Sequence, residues 1–210
     1  MKVLLSLFAL CLLSTPANAE IADAIVATAG ERIITFSEVM TEAKIVKVMR
    51  SKTGSLSLPL RVSYSDEILE QVINRELVYL EAKKIQADLE DTHIIDEMLA
   101  FKDKFQSQAA FYRFLKEEGL EVDDMAERLL KEKVSAAYVS RRLSLMATVS
   151  KKEIEDFYES SSEYEDLDLK DVEREIRQKL LSEKIEKSLD EWLLRLRKRD
   201  KVRYFKGPQY

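Results

Sequence analysis

Ile25-Val26-Ala27-Thr28-Ala29-Gly30-Glu31-Arg32-Ile33-Ile34-Thr35-Phe36-Ser37-Glu38-Val39 is the stretch that decides the fold. The run from Asp23 to Ala29 is short, apolar and rich in β-branched residues. Gly30-Glu31 can turn, and Arg32 to Thr35 is again β-prone, so the segment reads as a small hairpin. The pair lacks the strong Asn-Gly signal, which leaves the turn type open. Thr35-Phe36-Ser37-Glu38 then has the form of a capping box. The Thr35 hydroxyl can accept from the Glu38 amide while the Glu38 carboxylate reaches back. A helix is therefore expected from Phe36 to about Arg50.

The other end of the chain completes the sheet. Lys201-Val202-Arg203-Tyr204-Phe205 alternates like a strand but has no neighbour in sequence. An isolated strand is unstable, so this one is expected to join the N-terminal hairpin and bring the two ends of the chain together.

Everything between reads as helix. Four glycines and three prolines punctuate 210 residues of which 35% are charged, and long apolar periodicities favour a mainly α protein. Ser51 to Ser63 carries Gly54, Pro59 and several serines, and reads as a mobile loop. A helix is expected from Ser65 or Asp66 to about Ala87, with Leu69, Val72, Ile73, Leu77, Leu80 and Ile85 on its apolar stripe. A break at 88–91 precedes a helix over about 92–106. Ser107 can cap the next helix, which Gly119 is placed to stop in a left-handed conformation. Another helix runs over about 123–145. Ser150-Lys151-Lys152-Glu153 is a second capping box and opens a short helix to about Glu159. A serine-rich acidic linker at 160–168 leads into a long amphipathic helix over about 169–198. Its apolar positions run from Val172 and Ile176 through Leu181 and Ile185 to Trp192 and Leu196. Arg195, Arg197, Lys198 and Arg199 crowd the end where the helix dipole favours positive charge.

The first nineteen residues read as a secretory signal. Lys2 supplies the positive start, Val3 to Leu13 the apolar run, and Ala17-Asn18-Ala19 the small-x-small pattern that predicts cleavage after Ala19. Eleven residues are too few for a membrane span, which needs about 20. Cys11 lies in this run behind Leu10, too large for a lipoprotein cleavage site. Removing the leader leaves 191 residues without a cysteine and shifts the formal charge from −5 to −6. Such a chain has neither disulfide nor thiol nucleophile and must stand on its core. An acidic balance, with a pI of about 5.3, argues against a general nucleic-acid binder.

The search for chemistry finds little. His93 is the sole histidine, which excludes a histidine-based metal cluster, and it reads as a surface or capping residue near a helix start. The carboxylates form no recognisable metal loop, and there is no Gly-rich phosphate loop or serine-hydrolase elbow. No enzymatic activity, cofactor or metal is expected. The densest aromatic group is Phe101, Phe105, Phe111, Tyr112 and Phe114, with Met98 and Met125 near it in sequence. Aromatic faces and flexible thioethers adapt to varied apolar partners. Apolar residues at helical spacing are also what ordinary core packing uses, so the cluster carries both readings. The acidic run from Glu153 to Asp168 reads as a solvated hinge.

Three blocks carry a family resemblance. Ile25 to Val39 resembles the opening of the SurA family of periplasmic chaperones, in which a strand, a turn and a short strand enter a Thr/Ser-capped helix. Glu67-Ile68-Leu69-Glu70-Gln71-Val72-Ile73-Asn74-Arg75-Glu76-Leu77, on through Gly119 to Arg141-Arg142-Leu143, is similar to that family's N-terminal helical core. Lys152-Glu153-Ile154-Glu155-Asp156-Phe157-Tyr158 resembles the segment that leads into its parvulin prolyl isomerase domain. Between Glu159 and Lys170 that domain is absent, and the loop at Ser51 to Ser63 is particular to this chain. The resemblance covers most of residues 21–205. It implies one SurA-like helical chaperone domain over 20–210, composed of an N-terminal core (20–159), the linker in place of the isomerase (160–168) and a C-terminal helix and strand (169–205). The implied activity is that of an ATP-independent periplasmic holdase for unfolded exported, outer-membrane polypeptides, with Met98, Phe101, Phe105, Phe111, Tyr112, Phe114 and Met125 as the client-binding candidates. The implied partners exclude nucleic acid and stable membrane insertion. An exported helical adaptor for one dedicated folded partner is the alternative.

Overall fold

The computed structural model describes residues 23–85, 94–146 and 148–206, with the side chains of 144–146 left aside. The expected leader with its expected cleavage site, Cys11, the expected break at 88–91 and His93 lie outside the described residues. Two strands, β1 (Ile25–Ala29) and β2 (Arg32–Thr35), lead into α1 (Phe36–Met49). There follow α2 (Asp66–Lys84), α3 (Ile94–Lys102), α4 (Gln108–Glu117), α5 (Val122–Met146), α6 (Lys151–Ser160), a 3-10 turn at Ser162–Tyr164, α7 (Leu169–Arg199) and β3 (Arg203–Tyr204). The fold is mainly α, with one small antiparallel sheet.

The hairpin forms as the sequence predicts. Ala29 lies opposite Arg32, and only Gly30 of the two turn residues has a positive φ, +62°, the pattern of a type II′ turn. A bulge between Ile25 and Ala27 turns both Val26 and Ala27 toward the core. β3 pairs antiparallel with β1, giving the order β2-β1-β3, so the two ends of the described chain share one sheet. The Gly30 amide donates to the Asp200 carbonyl at 2.7 Å and fastens the hairpin turn to the end of α7.

The caps are local chemistry; the serine caps form where expected, and of the capping box expected at Thr35 only the half in which Thr35 accepts is made. Thr35 accepts from the Glu38 amide, and Asp23 adds a second cap by accepting from the Ser37 amide at 3.1 Å. The Glu38 carboxylate accepts from the Arg32 guanidinium at 2.7 Å. Ser107 accepts from the Ala110 amide, and Ser150 with Glu153 closes a complete capping box. Gly119, at φ +66°, ends α4 in a Schellman motif: the Leu120 amide donates to the Leu115 carbonyl at 2.9 Å, and the Leu120 side chain packs on the core.

Three apolar clusters hold the molecule. The first joins the sheet to α2 and to the end of α7, through Val26, Ile34, Val72, Leu77, Trp192 and Leu196. The second joins α1, α3, α4 and the start of α5. The third joins α6, the 3-10 turn and the start of α7 through Ile154, Tyr164, Val172 and Ile176.

Several sequence expectations shift in detail. On α2 the buried face ends with Val78 and Ala82, while Leu80 is half-buried and Ile85 is exposed beyond the last turn. The described part of the helix expected over 92–106 stops at Lys102, because residues 103–106 form turns that seat Phe105 beside Leu56. The loop at 51–63 is pinned there: the Gly54 and Leu56 amides donate to the Asp103 and Lys104 carbonyls, and Leu56 is buried. The 160–168 linker is not a bare solvated hinge. Tyr164 is buried in the third cluster, and its hydroxyl donates to Glu175 on α7 at 3.0 Å.

Candidate functional site

The seven client-binding candidates divide by burial. Phe101, Phe105, Phe111, Phe114 and Met125 are buried in the second cluster. The four phenyl rings meet edge-on or tilted, with centroids 5.3–6.4 Å apart in the contacting pairs, and Ile45 and Val48 of α1 lie against them. Packed this way, they offer no face to a partner. Met98 is half-buried against the same cluster, and Tyr112 is 47% exposed.

Outside this sealed cluster lies an apolar shoulder. Met98 and Phe101 turn the inner side of α3 to the core, which leaves Ile95 and Leu99, one helical turn apart, on its outer side at 72% and 50% exposure. One turn further along α3, the Lys102 ammonium sits 6.0 Å from the centroid of the Tyr112 ring. A shallow cleft of about 490 Å³ then runs from Tyr112 past Gly119 and Leu120 to Val122. Ile95 and Leu99 are absent from the sequence-derived set because they are aliphatic and lie before the aromatic run. The four-residue spacing of two large apolar residues on a short helix already filled by Met98 and Phe101 is the signal that could have found them.

A second site joins α1, α2 and α5. Glu42 is only 4% exposed, and its two carboxylate oxygens accept four hydrogen bonds. Arg75 donates through Nη1 and Nη2 at 2.7 and 3.0 Å, and Arg128 through Nε and Nη2 at 3.1 and 2.5 Å. Arg128 also pairs with Glu132 one turn on. Burial pushes the Glu42 carboxyl pKa up, but the two guanidiniums outweigh it and hold the group at about 2. Open clefts of about 420 and 460 Å³ flank this triad on two sides. The carboxylate is saturated with donors and ionised at any physiological pH, so it is no general acid or base near neutrality. Its role in the geometry is to lock three helices.

Among the described residues, no group of three or more His, Cys, Asp and Glu side chains is arranged to hold a metal ion. Among them, too, no helix is long and apolar enough to cross a membrane. No protein-family model and no curated protein matches this chain.

Proposed function

We propose that the protein is an exported, ATP-independent holdase that keeps unfolded exported polypeptides, outer-membrane proteins among them, from aggregating. The observation that carries this reading is the exposed pair Ile95 and Leu99 on α3, with Tyr112 joined to the same helix through Lys102. Contiguous exposed apolar side chains are the kind of surface that contact sites use. The N-terminal run that reads as a secretory leader agrees with work outside the cytoplasm. The resemblance to the SurA core without its parvulin domain supports a holdase with no prolyl isomerase activity. Weak contacts along a short stripe release a client readily, which suits a holdase without a nucleotide cycle. The rigid aromatic packing beneath the shoulder favours the second reading, a dedicated adaptor, since a preformed small surface also suits one folded partner.

Light scattering decides between them. An unfolded outer-membrane protein and an unrelated denatured protein are each diluted into the purified protein. The holdase suppresses aggregation of both at near-stoichiometric amounts, and I95S/L99S loses that suppression several-fold while keeping its Tm. Failure to suppress either client overturns the holdase in favour of the adaptor. Measurable turnover in a proline-isomerisation assay overturns both.

A further inference from the structure

Among the described residues β3 is an edge strand, with no strand paired on its outer side. Its register sets Arg203 opposite Thr28 and Tyr204 opposite Ala27, and the Phe205 amide donates to the Val26 carbonyl at 2.9 Å. In an antiparallel ladder the residues whose amides meet the partner alternate. Residues 203 and 205 therefore turn their amides toward β1, and Tyr204 presents its N–H and C=O to the open side.

The side chains around this edge are basic. Thr28, Gly30, Lys201, Arg203 and Phe205 line a cleft of about 490 Å³ with Arg199 and Asp200. Arg199 is neutralised by Asp200 and Glu81, whereas Lys201 and Arg203 have no carboxylate partner among the described residues. Lys198 and Lys206, nearby in sequence, likewise enter no ion pair there. Four unpaired cations thus cluster in sequence around this one edge of a chain whose formal charge is −5. Helix-dipole compensation accounts for Lys198 but not for cations that lie beyond the helix.

We infer that the open edge of β3 and the basic cleft beside it bind an extended polypeptide segment carrying carboxylates, which adds to the sheet as a fourth strand. The Tyr204 N–H and C=O supply ladder hydrogen bonds, Lys201 and Arg203 take the carboxylates, and Phe205 covers an apolar side chain between them. Unpaired ladder groups select a polypeptide over a lipid surface, which has no backbone to return the bonds. The site lies on the sheet, apart from the shoulder on α3 and α4, and does not depend on the holdase reading.

The test is fluorescence anisotropy with two labelled ten-residue peptides of alternating Thr and Val, one ending in two Asp and the other in two Asn. The purified protein binds the Asp peptide about tenfold more tightly than the Asn peptide. K201N/R203E abolishes that preference while far-UV circular dichroism and Tm stay unchanged. Asn tolerates the left-handed backbone at Lys201, φ +50°, so the exchange removes charge without strain. I95S/L99S binds the Asp peptide as the unsubstituted protein does, even if it has lost holdase activity. Equal affinity for the two peptides, or an undiminished preference in K201N/R203E, overturns the proposal. So does capture by phosphatidylglycerol vesicles without peptide binding, or self-association that K201N/R203E abolishes while no peptide binds.

Discussion

Glu42 is the residue that ties α1, α2 and α5 together. A carboxylate this deeply buried is tolerated only because two guanidiniums saturate it, and removing one member of such a set strands the others. E42Q leaves Arg75 and Arg128 facing each other with Glu132, beside Arg128, as the one carboxylate among the described residues still paired to either. It is expected to cost about 3–5 kcal/mol in urea unfolding. The same residue gives a pH dependence of definite sign. Its pKa in the folded protein, about 2, lies below the ordinary value of 4.5. Its stabilisation is therefore complete above pH 4.5 and is lost as pH falls toward 2. The amount is on the order of 3 kcal/mol. Other carboxylates titrate in the same window, so the difference between the unsubstituted protein and E42Q is the quantity to follow, and it should shrink as pH falls from 4.5 to 2. A constant difference would mean that the carboxylate does not hold the helices through its charge. None of this is legible in the sequence, because the partners are 33 and 86 residues away and the local pattern shows one more glutamate in a helix full of them.

Elements were most legible where their signals are local. Both capping serines and the Gly119 stop act within a few residues of themselves and form as the sequence reads, whereas at Thr35 the hydroxyl caps as read but the Glu38 carboxylate turns to Arg32. S150A removes the hydroxyl that accepts from the Glu153 amide. The expected cost is about 1 kcal/mol, seen as faster hydrogen exchange in the first turn of α6 and little elsewhere. Gly30 is a second case. A Cβ there meets nothing nearer than the Asp200 carbonyl oxygen at 3.9 Å, so the cost of G30A is set by its positive φ and not by a clash. Thermal unfolding should show a loss of about 1–2 kcal/mol. A much larger loss would point to a broken Gly30–Asp200 bond. Along α7 periodicity places the apolar face correctly but not the depth of its burial. Leu180, Leu181, Ile185 and Leu189 continue the stripe, but burial is complete only at Val172 and Ile176 on one end and at Trp192 and Leu196 on the other. An amphipathic pattern says which face turns inward; it does not say whether anything lies opposite.

At the scale of the whole molecule, the sheet joins the two ends of the described chain, while the three clusters found among the described residues divide it unequally. The closure was readable because a lone C-terminal strand has one plausible place to pair. The division was not, because the segment at 160–168 looks like a linker in composition and carries its one anchor, Tyr164, among serines and acids. That tyrosine makes the third cluster a satellite of four buried side chains, set on the start of α7 beyond the reach of the sheet. A cluster so small has little to spare. Replacing a large buried aromatic by Ala costs about 3–5 kcal/mol, roughly half of the 6–12 kcal/mol that four buried side chains supply. Y164A is therefore expected to loosen α6, the 3-10 turn and the first turns of α7 while the rest of the fold survives. Hydrogen exchange should rise across residues 151–176 and stay protected in β1, α2 and the Trp192 end of α7, which the first cluster holds independently. If Y164A instead lowers protection everywhere together, the satellite is part of one cooperative unit, and α7 transmits its loss along the full length of the helix.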